Sequence, residues 1–136
     1  MTTVLLDTSA YSAWKRGHSE LAHELEHAET IAISAIVAGE LRSGFRRGTQ
    51  ATRNEAELQR LLGRPGVHAI EVGDETSRRY ALVIDNLRRA GIPVPTNDAW
   101  IAATAMEHGL EIWTCDSDFE RIPGVLVRRF EVDRPG

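Results

Sequence analysis

Short apolar segments alternate with amphipathic segments along the whole chain, and this alternation restricts the possible folds more than any other feature. It predicts five strands, at residues 2–6, 30–33, 67–72, 111–114 and 125–130. It predicts helices between them, at residues 9–15, 19–29, 35–47, 49–62, 75–90 with Asp74 as N-cap, and 98–108. Strands that alternate with helices favour a parallel sheet covered by helices on both faces. We therefore expect an α/β fold.

Length and composition limit the chain further. Its 136 residues suit one domain, and a content of 42% hydrophobic and 26% charged residues is ordinary for a globular protein. The apolar runs are shorter than the roughly 20 residues of a membrane span, and the N-terminus lacks the basic region of a signal peptide. The single cysteine, Cys115, excludes an internal disulfide framework. We expect a cytoplasmic protein with no membrane partner.

Two aspartates directly follow predicted strands. Asp7 comes after the first strand, and Asp116 lies just past the fourth. In parallel sheets, sites form beyond the carboxyl ends of the strands. These two carboxylates are therefore expected at the same edge of the sheet.

Two further carboxylates stand in apolar surroundings. Glu40 lies on the helix face that also carries Ile36 and Val37, where an unpartnered charge is costly. Asp98 begins a helix whose remaining turns are almost entirely apolar, and the helix dipole favours its ionised form. Both side chains are expected to point toward the protein.

Together the four carboxylates would repel one another by about 3 kcal/mol per pair at ~5 Å and an effective dielectric near 20. A divalent cation compensates for such repulsion, and oxygen ligands without His or Cys suit Mg²⁺ or Mn²⁺. Such a site can hydrolyse phosphodiesters. The net charge of −4 does not decide whether nucleic acid is the substrate, because four of the acids would belong to the metal site.

Simpler roles stay open for each acid. Asp7 and Asp98 are also placed to be helix N-caps, and Glu40 could pair with an arginine. Near the fourth strand, Asp116 and Asp118 compete for the metal. We expect Asp116 to bind metal and Asp118 to cap the next turn or to contact the ligands.

Three segments resemble those of PIN-domain ribonucleases, and more narrowly of the VapC toxins of bacterial toxin–antitoxin pairs. They are LLDTSAY, ISAIVAGELRSGFRRG and NDAWIAATAMEHGLEIWTCDSDFERIPGV, and the resemblance extends over essentially the whole chain. It implies a single PIN domain at residues 1–136, with a PIN-like three-layer α/β/α fold and a five-stranded parallel sheet. It also implies an Mg²⁺- or Mn²⁺-dependent endoribonuclease.

The resemblance assigns roles to individual residues. The acidic residues that bind metal and catalyse the reaction would be Asp7, Glu40, Asp98 and Asp116, with metal contacts usually at the equivalents of Asp7 and Asp98. Ser9 would orient Asp7. Asn97 and Thr114 would support the ligands without binding the ion.

The resemblance also implies partners. A VapC-like toxin is expected to form homodimers and to be inhibited by a cognate VapB-like antitoxin that places an Arg or Lys near the acidic site. The antitoxin would occupy a groove between the helices near residues 10–15 and 37–62. Apolar side chains are expected to line that groove, unless they complete the protein's own core: Tyr11, Trp14, Leu41, Phe45 and Leu58.

Other interpretations compete with this one. His23-Glu24-Leu25-Glu26-His27 matches the HExxH pattern of zinc peptidases, but its helix is highly charged, as a solvated helix would be. Haloacid-dehalogenase-type phosphatases and response-regulator receivers need a late lysine, and Lys15 is the only lysine. A PIN scaffold that only binds RNA or protein is the remaining alternative.

Paired arginines are candidates for contacts with RNA phosphates, although such pairs commonly lie on solvated surfaces. We expect Arg42 and Arg46, one turn apart on the Glu40 helix, to be the residues on the RNA side.

Overall fold

Five strands form a single sheet in the computed structural model, which describes residues 3–132. The strands are β1 (Thr3–Leu6), β2 (Thr30–Ser34), β3 (Val67–Ile70), β4 (Glu111–Thr114) and β5 (Leu126–Arg129). Every neighbouring pair is parallel, in the order β3-β2-β1-β4-β5. The predicted five-stranded parallel sheet is confirmed. The first two and last four residues of the expected domain, 1–136, lie outside the described residues.

Six helices connect the strands. They are α1 (Thr8–Lys15), α2 (Ser19–His27), α3 (Ala35–Arg47), α4 (Ala51–Leu62), α5 (Asp74–Ala90) and α6 (Thr96–His108), and a 3₁₀ turn at Asp118–Arg121 precedes β5. None of these helices is long and apolar enough to cross a membrane.

The central strands are covered on both faces of the sheet. Val4, Leu5 and Leu6 of β1 are fully buried, as is Ile112 of β4. Successive side chains of a strand point to opposite faces, so consecutive buried residues require helices on both sides. This burial accounts for the continuous apolar runs in the sequence and confirms the α/β fold.

The outer strands are shorter than predicted because pairing ends. The predicted third strand extended to Val72, but β3 stops at Ile70, which pairs with Ser34, the last residue of β2. The predicted fifth strand ran from Val125 to Phe130, but β5 ends at Arg129, which pairs with the last residue of β4. An outer strand cannot extend its ladder beyond the neighbour that supplies its hydrogen bonds.

Four of the six helix starts differ from the predictions by one or two residues, including those of α5 and α6. Gly73, not Asp74, is the N-cap of α5, and its N–H donates to the hydroxyl of Thr76. Helix α6 starts at Thr96 instead of Asp98, because the carbonyl of Pro95 already accepts the N–H of Asp98 at 3.0 Å. Asp98 therefore lies within the first turn of α6.

The strand order also fixes where a site can form. The chain moves outward in one direction from β1 to β3, and β4 and β5 then add on the other side of β1. Ligands of such sheets bind at the carboxyl ends of the strands where the order reverses. Here that point lies between β1 and β4.

Candidate active site

Asp7 follows β1 and is the N-cap of α1. It is only 3% exposed. Its Oδ1 accepts the backbone N–H of Ala10 at 2.8 Å, so the predicted alternative role as a helix cap is real. Burial raises the pKa of Asp7 to about 6 although Thr114, Ala10 and Ser9 donate to it. Capping and membership of an acidic site are therefore compatible at this residue.

Two hydroxyls connect Asp7 to the end of β4. Thr114 donates to Oδ2 of Asp7 at 2.6 Å, and Ser9 donates to Oδ1 at 2.9 Å. Ser9 also accepts the N–H of Cys115 at 2.9 Å, and Thr114 accepts the N–H of Asp116 at 3.0 Å. These contacts hold Asp7 in one orientation across the β1–β4 junction. They place Ser9 and Thr114 where the sequence expected supporting residues.

Asp98 faces the other carboxylates. Its pKa is raised to about 7, first by burial and then by the charges of Asp118, Glu40, Asp7 and Asp116. The N-cap of α1, a side chain of α3 and the segment after β4 thus act electrostatically on one carboxyl group of α6. The four predicted carboxylates share one region of the molecule.

Glu40 has a partner that sequence reasoning did not single out. The hydroxyl of Thr8 donates to Oε1 of Glu40 at 2.7 Å. Among residues 3–132, Glu40 has no basic side chain within 4 Å, so the alternative of an arginine pair does not occur there. The only feature of the sequence that could have indicated a role for Thr8 in the site was its position directly after Asp7.

Asp118 was expected to cap the next turn or to contact the ligands, and it does not cap the turn. The 3₁₀ turn begins at Asp118, with Ser117 as N-cap and no side-chain capping bond. Its charge raises the pKa of Asp98 more than that of Asp116 does, and Asp116 is exposed. Asp118 therefore belongs to the acidic group, because the tight turn after β4 directs it toward α6.

The chemistry of these side chains suits a hard divalent cation. The donors are oxygens only, and none of the five carboxylates has a cationic partner within 4 Å in the described part of the chain. Within residues 3–132, however, no three His, Cys, Asp or Glu side chains are grouped closely enough to hold an ion together. An ion here would depend on one or two carboxylates and water, as Mg²⁺ commonly does.

Comparison with known proteins identifies the family. The PIN domain model matches residues 4–125, which include all five carboxylates. The chain belongs to the PIN domain family.

Its relatives narrow the assignment. This PIN domain is 39% identical over 98 residues to ribonuclease VapC4 of Mycobacterium tuberculosis, covering 70% of this chain and 73% of that protein. It is 32% identical to ribonuclease VapC1 of Rickettsia felis, covering 91% and 93%. The crystal structure of DNA-bound VapBC from Salmonella typhimurium superposes with a TM-score of 0.83 at 26% identity, covering 95% and 98%. The resemblance to VapC ribonucleases is confirmed.

The predicted RNA-side arginines lie away from the acidic group. Arg42 forms a two-point ion pair with Glu55 of α4, with bonds of 2.8 and 3.2 Å. Both Arg42 and Arg46 line a cavity between α3 and α4. Another arginine of the PIN domain, Arg47, lines a cavity with Glu40 and Asn97 instead. RNA contacts by Arg42 and Arg46 stay a prediction.

The zinc-peptidase motif lies on the surface of α2. His23 and His27 are exposed, and Glu24 forms an ion pair with Arg128 at 3.2 Å. No third His, Cys, Asp or Glu joins the two histidines in a metal-holding group among residues 3–132. The motif is part of a solvated helix face, as its charge suggested.

Proposed function

We propose that this chain is a metal-dependent endoribonuclease of the VapC kind, acting as the toxin of a toxin–antitoxin pair. The observation that carries the proposal is the grouping of carboxylates around Asp98: four others raise its pKa in addition to burial, and none of the five has a cationic partner within 4 Å among residues 3–132. A folded protein retains such repulsion where function requires it. The relatives that are named ribonucleases match over most of their length and so support RNA as the substrate class.

The residues divide the work at the site. Asp7 and Asp98 would hold Mg²⁺ or Mn²⁺, with Glu40, Asp116 and Asp118 in contact through water. The chemistry that such an ion supplies is activation of water and neutralisation of charge on the phosphodiester. Ser9 and Thr114 keep both oxygens of Asp7 oriented, and Thr8 does the same for Glu40. The carboxylates must be ionised, so a bound cation is expected to lower their pKa values.

Cleavage of RNA by the purified protein tests this proposal. We expect a single-stranded RNA to be cut internally in Mg²⁺ or Mn²⁺, and the activity to disappear in excess chelator and return with the ion. Wild type and Asp98→Asn should be purified in parallel, because equal cleavage by both would reveal a contaminant. RNA binding without cleavage by the wild type would instead favour the non-catalytic alternative.

Inhibition by an antitoxin is the second part of the proposal. Solved relatives include a toxin–antitoxin complex from Klebsiella pneumoniae, 27% identical, which supports a partner of this kind. Leu41 and Leu58 are buried, in keeping with the alternative that they complete the core. Tyr11 is also largely buried, but with Phe45 it lines a cavity between α1 and the helices α3 and α4, where the groove was predicted. Trp14 and Phe45 are only partly buried and would still be available to an antitoxin segment.

Growth measurements test the toxin role. Expression of the wild type should arrest growth, and co-expression of the adjacent small open reading frame should restore it. Asp98→Asn should not arrest growth at equal protein levels. Unimpaired growth with active wild-type protein would contradict the toxin role and leave the nuclease role intact. Homodimer formation also stays a prediction, which light scattering of the purified chain would test.

A further inference from the structure

A groove opens beside the acidic group, between α3 and the start of α6. Its volume is about 470 Å³. Asn97, directly before Asp98, forms one wall, and Glu40 belongs to the other. The remaining lining residues all come from α3: Ala35, Ile36, Gly39, Ser43 and Arg47. A ligand in this groove would therefore lie next to the carboxylates that carry the proposed chemistry.

Arg47 provides an available positive charge at the far end of the groove. Its side chain is exposed, and no carboxylate lies within 4 Å of it in residues 3–132. Nη1 donates to the hydroxyl of Ser43 at 3.1 Å, one turn back toward Glu40. Nη2 lies beside Gly44, where an added Cβ would be 3.9 Å away. The guanidinium thus extends back along α3 in the direction of the acidic group.

Gly39 leaves the floor of the groove without a side chain. It lies inside α3, where glycine is disfavoured relative to alanine. Its φ is not positive, and a Cβ built there meets nothing within 4 Å. Packing of residues 3–132 therefore gives no reason for glycine. A ligand that approaches the helix backbone closely would give one.

We infer that this groove binds the RNA strand next to the cut, with Arg47 contacting a flanking phosphate and Asn97 facing the adjoining nucleotide. The inference rests on the proposed function. Glu40 and Arg47 are seven residues apart, about 10 Å along the helix at ~1.5 Å per residue. That spacing separates Arg47 from the scissile phosphate, which must lie at the carboxylates. The charges of the groove suit an RNA strand in this position. At one end the carboxylates would bind a cation next to the scissile phosphate, and at the other end the guanidinium of Arg47 attracts a flanking phosphate.

Arg46 supplies a matched control. It is the neighbouring residue on α3 and is also exposed, with no carboxylate within 4 Å in the described residues. It lines the cavity on the α4 side instead. Arg46→Ala and Arg47→Ala therefore remove the same charge from two different cavities, at helix positions about 100° apart around the axis.

Kinetics on a short single-stranded RNA would separate the two arginines. Arg47→Ala should raise KM about tenfold, as expected for one hydrogen-bonded charge, and leave kcat nearly unchanged. The slope of log KM against log salt should fall by about 0.7, the value for one phosphate contact on a single strand. Arg46→Ala removes the RNA-side residue that the sequence predicted, and the inference expects both changes to be clearly smaller in it than in Arg47→Ala. Equal effects of the two variants would overturn the inference, because they would indicate general electrostatic attraction.

A methyl group at position 39 tests the floor of the groove. Gly39→Ala should raise Tm, because alanine favours the helix, and yet raise KM. A merely structural role for Gly39 would not produce this opposition. A KM unchanged from wild type, in a variant of raised Tm, would contradict close approach of the strand at this position.

Binding without turnover separates failure of the inference from failure of the proposed function. Asp98→Asn and the double variant Asp98→Asn/Arg47→Ala should be titrated with the same RNA, and the second should bind about tenfold more weakly. This difference is measurable even if the wild type cuts no RNA. Equal binding by the two variants would overturn the inference. So would unchanged RNA binding combined with weaker capture of the co-expressed antitoxin, because the groove would then bind protein.

Discussion

Burial is the main cause of the raised pKa values of both Asp7 and Asp98, but their other neighbours act in opposite directions. Asp7 is buried and accepts hydrogen bonds from Ala10, Ser9 and Thr114, which lower its pKa against the larger effect of burial. Asp98 is half-buried, no side-chain hydrogen bond involves it within the described residues, and four like charges raise its pKa further. Asp7 is therefore fixed in orientation, while Asp98 lacks the compensation that fixes Asp7.

The difference shows that one carboxylate of an acidic site can be fixed by hydrogen bonds while another still lacks a compensating partner. Three groups donate hydrogen bonds to the carboxylate of Asp7 at the β1–β4 junction. The negative charge of Asp98 on α6 requires a ligand for its neutralisation. A cation is the natural complement to the second residue, and changes at the two positions should have different consequences.

The largest expected effect comes from Asp98→Asn. The variant keeps the size of the side chain and loses the charge that a metal ion requires, so kcat should fall about 10³-fold, because such an ion contributes several kcal/mol. Cleavage of a fluorescent RNA in Mg²⁺ would measure it. His27→Ala, on the exposed face of α2, is the control and should cut normally. Retention of more than a tenth of the activity by Asp98→Asn would argue against metal binding at α6.

The next effect is a pH dependence of stability without metal. Asp7 and Asp98 have folded-state pKa values of about 6 and 7, above the ordinary aspartate value of 3.8. At pH values between the unfolded-state and folded-state pKa of each aspartate, the folded chain holds a proton that the unfolded chain has released. The free energy of unfolding therefore falls as pH rises from 4 to 8. The shift of Asp7 corresponds to about 3 kcal/mol at most, and that of Asp98 counts for less per unit because solvent screens it.

Urea unfolding in chelator at pH 5 and pH 8 would measure this loss. Added Mg²⁺ or Mn²⁺ should restore stability at pH 8 and have little effect at pH 5. Asp98→Asn should lose less stability between the two pH values than the wild type and respond less to the ion. If the wild type were equally stable at both pH values, the ionisation of Asp7 and Asp98 would not destabilise the folded protein, and the prediction would be wrong.

Thr114→Val tests the fixed orientation of Asp7. The substitution keeps the shape and removes the hydroxyl that donates to Asp7 and accepts the N–H of Asp116. Activity should fall about 10- to 100-fold, the usual cost of losing a group that orients a metal ligand. The equally buried Thr104, which donates to the carbonyl of Trp100 within α6, supplies the control. If Thr104→Val lost as much activity as Thr114→Val, the effect would reflect stability.

The smallest effect is expected at Thr8. Thr8→Val removes the donor to Glu40 and should lower kcat about fivefold, because one such hydrogen bond is worth about 1 kcal/mol. Thr8→Ser retains the hydroxyl and should restore most of the activity. Steady-state kinetics at saturating RNA would compare the three proteins. A serine variant as impaired as the valine variant would show that the hydroxyl alone does not sustain activity, and would contradict the role given to this hydrogen bond.

Much of this arrangement could be predicted from local patterns. The apolar runs before Asp7 and Asp116 indicated strands, and the rule for parallel sheets placed both residues at one edge. The apolar surroundings of Glu40 and Asp98 singled out these two residues, and the resemblance to VapC grouped them with Asp7 and Asp116. The raised pKa of Asp98 is in keeping with that grouping, because all three other predicted carboxylates contribute to it.

The parts that escaped prediction depend on residues distant in the sequence. Thr8 meets Glu40 across 32 positions, and Thr114 meets Asp7 across 107. The choice between Arg42, Arg46 and Arg47 depended on where α4 and α6 pack against α3. The choice between the two roles expected of Asp118 depended on the 3₁₀ turn after β4, which is too short to give a periodic pattern in the sequence. Local propensity carries no information about such contacts.

The central position of β1 has a consequence for the order of events during synthesis. Asp7 precedes its partner Thr114 by 107 positions, and the neighbouring Asp116 and Asp118 come later still. Contacts of such separation form late, because the intervening segment must first be ordered. A growing chain that has not yet added β4 therefore carries Asp7 without the partners that complete the acidic group. The proposed nuclease site thus cannot form on the ribosome before the segment after β4 has been made.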